Sequence, residues 1–243
     1  MDAEPESSSL LSHIEALRRA LLWIIGVTAA LYPVAYMAAP HAIRWLVHWS
    51  FPPEMGSLHY FSPMEVFWVQ LKLAFILSLA LAYPWNIWQI WRFMLPALYA
   101  NERRALGWWI LFSSVLFFGG MAFCIGLILP LLMRFASGFA SAELRPMLGL
   151  ASFLSLAGWL MLAFGLMFQM PVVVLLAVRF GVIGADSLAA KRPYVIVVIL
   201  FAAAILTPPD VVSQVMLGLP SWLLFELGLL LARIMEKKSE DSK

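Results

Sequence analysis

The chain predicts an all-α integral membrane protein of six transmembrane helices in a curved bundle, and three observations predict it. Hydrophobic residues make up 63% of the 243 and charged residues 12%, against soluble norms of about 45–50% and 25%. Apolar runs recur at about 20–39, 66–87, 106–132, 151–178, 194–206 and 211–232, where a membrane helix needs roughly 20 residues. The cations are also segregated. With the N-terminus inside, one side collects Arg18, Arg19, Arg92, Arg103, Arg104, Arg179, Lys191, Arg192, Arg233, Lys237, Lys238 and Lys243, and the other keeps Arg44, Arg134 and Arg145. Under the positive-inside rule that imbalance puts both termini in the cytoplasm.

Residues 1–19 form a cytoplasmic N-terminal segment. It is acidic and serine-rich up to Ser12, without a basic n-region or small-residue cleavage site, so no removable signal peptide is expected and the first apolar run stays. Residues 40–65, with Trp45, Trp49, Tyr60 and the pair Pro52-Pro53, read as an outer cap loop resting in the headgroup zone. The second span carries Lys72, which snorkels outward. In the short inner loop at 88–105, Asn101 is a good N-cap for the third span. Glu102 then lies in its first turn, where an acid favours the macrodipole by about 0.3–1 kcal/mol. The same carboxylate suits a cationic client, because it accepts a guanidinium through two parallel hydrogen bonds, each contributing about 1.5–3 kcal/mol.

Pro33, Pro84, Pro130, Pro171 and Pro220 each free a carbonyl four residues earlier and bend their helices, so curvature is expected. The fourth run is longer than a perpendicular crossing needs and must tilt or kink at Pro171. Gln169 stands two residues before that proline. It reads either as interhelical glue, typically worth about 0.6 kcal/mol, or as a polar point in an inward-facing cavity. After the inner loop at 179–193 comes the fifth run, about 13 residues or roughly 20 Å, short of the ~30 Å hydrocarbon core. Thr207-Pro208-Pro209-Asp210 forms a tight polar turn. The sixth run carries Pro220, which leaves the carbonyl of Met216 without its helical partner, and Glu226, an acid costly in lipid unless it is partnered, protonated or wetted. The hairpin as a whole reads as short spans that thin the bilayer locally. Residues 233–243 form a cytoplasmic tail.

Several function classes are excluded. A formal charge of +2 argues for no nucleic acid. Cys124 is alone, and His13, His41, His48 and His59 form no metal spacing. No GxSxG or phosphate-binding loop is present, so neither an enzyme nor a cofactor is expected. Glu226 and the broken helices permit a small-solute or ion carrier, but the halves lack inverted-repeat symmetry.

The most specific stretches are FMLPALYANERR (93–104), FFGGMAFCIGLILP (117–130), FGLMFQMPVV (164–173), KRPYV (191–195) and LTPPDVVSQVMLGLP followed by LFE (206–226), with SPMEVF (62–67) fitting an SPxExF pattern. Through these, the chain resembles the TatC family, the multi-spanning subunit of the twin-arginine protein translocase, from about Leu10 to Arg233. The resemblance implies six spans in a glove-like bundle with short fifth and sixth spans. It also implies a receptor for twin-arginine signal peptides on folded cargo, working with TatA-like and TatB-like single-span partners and the proton motive force. By the same resemblance Glu102 falls on the arginine-binding acid and Phe93 shares its segment, while Thr207 and Gln214 fall on partner-helix positions, with Asp210 in the matching turn. Two departures stand out. The family's HLxELR reads HIEALR here, so Ala16 occupies the acid position and Glu15 lies one place earlier, turned by about 100° on a helix. Gln169 stands where the family usually carries Glu, keeping hydrogen bonding but no titratable proton.

Overall fold

The computed structural model describes residues 4–50, 58–94, 103–138, 148–207 and 211–240, and those residues are helical apart from short connections. Helices α1 (Glu4–Ser50), α2 (Pro63–Met94) and α3 (Arg103–Phe123) come first. A π-helical turn, Cys124–Ile128, joins α3 to α4 (Leu129–Ser137); α5 (Leu150–Met167), α6 (Met170–Arg179), α7 (Ala185–Ala190), α8 (Arg192–Leu206) and α9 (Val211–Glu240) follow. Among the described residues, five helical stretches are long and apolar enough to cross a membrane: Ile14–Ser50, Pro63–Phe93, Gly107–Ser137, Leu150–Arg179 and Val211–Lys237. Helix α8 is the shorter sixth, at 15 residues.

Two expectations about boundaries need correction. The first helix does not stop at Pro40 but continues to Ser50. The reason is its periodicity: Leu46 and Ser50 are buried on one face, while Trp45 and Trp49 stack on another at 6.3 Å between ring centroids. Proline bends a membrane helix without ending it where the freed carbonyl is sheltered. The outer connector therefore shrinks to the residues after Ser50, of which 51–57 lie outside those described. The sixth span is not short either. Helix α9 has 30 residues and runs unbroken through Pro220.

The chain divides into two compact units. The first comprises Met1–Pro40 and Gln70–Ser114. Small residues of these helices, Ala35, Ala39, Ala74, Ala80 and Ala82, are all buried. Polar links cross it: Tyr83 and Ser113 share a hydrogen bond of 3.0 Å, the Tyr32 hydroxyl donates to Leu71 O at 3.4 Å, and Asn86 Nδ2 donates to Thr28 Oγ1 at 3.5 Å.

The second unit comprises His41–Val69 and Val115–Lys243. Its π-helical turn follows from Pro130, whose ring and missing N–H cannot continue a regular ladder; the turn widens so that Leu129 N–H reaches Cys124 O, five residues back. Further along, α6 lies against α9 at Gly228, where a Cβ would come within 2.8 Å of Pro171 Cα and 3.2 Å of Val174 Cβ. At Gly120 an added Cβ would stand 2.5 Å from Phe164 O. Both glycines permit helix contacts that no side chain would allow.

At another edge of this unit, one carboxylate ties the chain before α2 to the start of α5. Glu65 Oε2 accepts from Phe61 N at 2.8 Å, and Oε1 accepts from Ala151 N at 3.0 Å. A parallel bridge beside it pairs His59 with Gly149. An acid here satisfies one of the orphan donors at the N-terminus of α5. SPMEVF showed this residue, but its partner is 86 positions away and no local pattern announces it.

Candidate functional site

Three places gather the chain's polar chemistry, and each is described within its own unit. In the first unit, α1 and α2 enclose a cavity of about 240 Å³ lined by Ala16, Arg19, Ala20 and Trp23 from α1 and by Gln89, Arg92 and Phe93 from α2. The spacings explain the lining. Positions 16, 19, 20 and 23 form one helical stripe, and 89, 92 and 93 another. The Arg92 guanidinium lies over the Trp88 ring, 5.9 Å from its centroid, within cation–π range.

Of the expected client-binding residues, Phe93 is on this wall and Glu15 is not. Ala16 is there instead, and Glu15 stands exposed elsewhere on α1, as a one-residue shift on a helix requires. Glu102 lies outside the described residues, as does Asp210. The arginines and Gln89 of this cavity received no site role from the sequence. Their only signal was the i, i+3, i+4 spacing, which becomes visible once two helices are known to pair.

Gln169 occupies the break between α5 and α6. Pro171 cannot donate to the carbonyl of Met167, and the chain tightens ahead of it, so that Gln169 N donates to Leu166 O at 3.0 Å. This turns the backbone donor away from Gly165 O, and the side-chain Nε2 of Gln169 donates there at 3.4 Å instead. The position repairs a kink locally. Around it, Phe123 meets Phe168 at 5.5 Å and Phe164 at 5.9 Å between ring centroids.

The third place is the α8–α9 hairpin. An almost wholly apolar groove of about 350 Å³ runs along it, lined by Ile196, Ile199, Leu200, Val215, Gly218, Leu219 and Trp222. Gln214 Nε2 donates to Leu200 O at 3.1 Å and pins the hairpin's open turns together. Thr207 is buried, and its hydroxyl donates to Ala203 O at 2.8 Å, closing the last turn of α8. Glu226 is partnered: its two oxygens accept from Arg192 Nε at 2.6 Å and Nη2 at 2.9 Å. This fork-to-fork contact is the geometry in which a guanidinium and a carboxylate bind best. Sequence reasoning weighed Glu226 without finding this partner. The signal was there, because Arg192 and Glu226 each lie seventeen residues from Pro209, the register of an antiparallel hairpin. Beyond the pair, Arg233 Nη2 donates to Asp186 Oδ1 at 3.0 Å, and Glu236 Oε1 accepts from Ala185 N at 3.3 Å, fastening α7 to α9.

Residues 12–220 match the family model described as Sec-independent protein translocase protein (TatC). Proteins named Sec-independent protein translocase protein TatC are similar over nearly the whole chain. That of Magnetococcus marinus is 33% identical, covering 100% of this chain and 90% of its own length. Those of Haemophilus influenzae and Escherichia coli K12 are each 34% identical, covering 98% and 94% of this chain and 93% and 89% of theirs. A crystal structure of the twin arginine translocase receptor TatC superposes with a TM-score of 0.81 at 32% identity, over 91% of this chain and 98% of that one.

Proposed function

Because this chain belongs to the TatC family of Sec-independent protein translocase proteins, we propose that it binds twin-arginine signal peptides through the segment joining α2 to α3 and seats partner helices on the α8–α9 hairpin. The chain is a multi-pass membrane protein, the twin-arginine translocase receptor subunit for Sec-independent export, and a transport protein without enzymatic activity. The observation that carries the proposal is the family match across residues 12–220, which spans Glu15, Phe93, Glu102, Gln169, Thr207, Asp210 and Gln214.

In this proposal Glu102 accepts the client's guanidinium through two charge-assisted hydrogen bonds, and Phe93 packs against the apolar part of the signal. Glu15, exposed on α1, is an auxiliary acceptor. TatA-like and TatB-like single-span helices dock along the groove lined by Leu200, Val215 and Leu219. Gln214 holds its amide N–H on Leu200 O, which leaves its amide oxygen to accept from a polar group of the partner. Thr207, which closes the last turn of α8, and Asp210 are further partner-contact residues in this proposal. Both termini lie in the cytoplasm of a bacterial cell whose cytoplasmic membrane supplies the proton motive force, since the cations near span ends are biased to one side.

The test is complementation of a strain lacking its own TatC, scored by export of a folded twin-arginine reporter, together with photocrosslinking of the precursor. The wild-type chain should restore export. Glu102→Ala and Glu102→Gln should each lower crosslinking by roughly tenfold or more, the loss of a charge-assisted hydrogen bond of about 1.5–3 kcal/mol. Undiminished crosslinking in both variants removes Glu102 from the binding role.

A further inference from the structure

We propose that the far end of α1, from His41 to Ser50, lies on the phosphate headgroups of a phospholipid surface and prefers an anionic one. The inference goes beyond the receptor reading and holds whichever leaflet that end of the helix meets. Residues 20–39 carry no charge and, at 1.5 Å each, reach roughly 30 Å, the thickness of the hydrocarbon core. The helix nevertheless continues to Ser50, so its last turns begin where hydrocarbon ends. A bend is available at that point, because Pro40 frees Tyr36 O, and Gln70 Nε2 donates to this carbonyl at 3.5 Å.

One face of this segment suits such a surface. His41, Arg44, Trp45, His48 and Trp49 are all exposed, and their i, i+3, i+4, i+7, i+8 spacing puts them on one stripe. Leu46 and Ser50, 3% and 1% exposed, are buried on the opposite face. Trp45 and Trp49 stack at 6.3 Å between ring centroids with 14° between their planes, and both remain more than half exposed. Indoles favour headgroup level, with the apolar body toward the acyl chains and the N–H toward water. An upright course would instead lift Trp49 about 13 Å past Pro40, beyond the roughly 5–7 Å of headgroup on each side, and leave both rings in water.

Charge selects the occupant. Residues 41–50 contain no Asp or Glu, and among the described residues Arg44 has no acidic partner. The first carboxylate of the following helix, Glu65, already accepts from Phe61 N and Ala151 N. A guanidinium rising beside indoles reaches phosphodiester oxygens with its fork while its stem stays in the apolar layer. One cation near an anionic surface strengthens its binding roughly fivefold. In a two-fold contact, a second copy of the chain would bring the same cation against itself, which disfavours that occupant.

The experiment uses the full-length chain with a nitroxide at His48→Cys, reconstituted in vesicles of phosphatidylcholine alone or with phosphatidylglycerol. Cys124 is buried, and the unsubstituted chain treated with the same label gives the background. Depth is read from collisions of the label with oxygen and with a water-soluble nickel chelate. The label should sit at headgroup depth in both vesicles and deeper with phosphatidylglycerol. Arg44→Glu should move it toward water in phosphatidylglycerol vesicles, and Arg44→Lys should keep its depth. Trp45→Ala with Trp49→Ala should move it toward water in both, with circular dichroism confirming that each variant is folded. A label as open to the chelate as a fully aqueous site in both vesicles overturns the proposal. So does a depth that ignores phosphatidylglycerol or Arg44→Glu. Dipolar broadening between labels on neighbouring copies that persists on dilution with lipid assigns the face to a second copy and overturns it too.

Discussion

Gln169 shows how a polar residue inside a membrane span earns its place through the backbone. Its side chain supplies the donor that Gly165 O loses when the chain tightens ahead of Pro171. A hydrogen bond of this kind contributes about 0.6 kcal/mol in a membrane. Gln169→Leu removes the donor, whereas Gln169→Glu keeps the shape and, when protonated, an O–H that donates to the same carbonyl. Export of a twin-arginine reporter should therefore fall further in Gln169→Leu than in Gln169→Glu; equal export in both would reduce the residue to packing. The sequence showed the proline and the polar residue two places before it. It did not show which carbonyl would be orphaned, because that depends on whether the break tightens or opens. Glu15 and Ala16 teach the opposite lesson. A one-residue displacement read from the sequence turns Glu15 by about 100° from the family's acid position, and Ala16 is on the cavity wall where a carboxylate would offset part of the charge of Arg19 and Arg92.

Helix α9 carries the packing of the second unit. One flank meets α6 at Gly228 and another meets α8 near Leu200 and Gly218. Gly228→Ala should cost about 1–3 kcal/mol, the usual penalty of overpacking, because its Cβ would meet the backbone of Pro171. Thermal unfolding in detergent should register this as a lower Tm. The same substitution at Gly119, where nothing stands within 4 Å, should leave Tm nearly unchanged. The α8–α9 register makes a second prediction. Exchanging charges in Arg192→Glu with Glu226→Arg should restore much of the stability that either single reversal loses, measured as a double-mutant cycle by protease resistance. Additive losses in the double variant would show that the pair contributes nothing specific. The existence of α8 and its shortness were legible, since apolar length is a local property. The persistence of α1 through Pro40 and of α9 to Glu240 was not. A proline marks a missing donor, and only neighbouring groups decide whether the helix survives it.

At the scale of the whole molecule, the segregation of Lys and Arg along the sequence predicts that both termini face the cytoplasm. Reporter fusions at residues 1 and 243, and single cysteines at positions 51–62, the connector between α1 and α2, probed with an impermeant thiol reagent, test this. The fusions should be protected from external reagent and the connector cysteines labelled; the reverse pattern would invert the topology. What the sequence determined by itself was membrane residence, the number of apolar segments, the shortness of α8 and, through extended motifs, the family. These follow from transfer free energies and residue order, which need no knowledge of which helix faces which. Only the tertiary structure decided that Arg192 holds Glu226, that Glu65 serves the start of a helix 86 residues later, and that Arg19, Gln89 and Arg92 line one cavity. Those contacts join residues distant along the chain, and their partners are set by packing and register, which composition and periodicity do not encode.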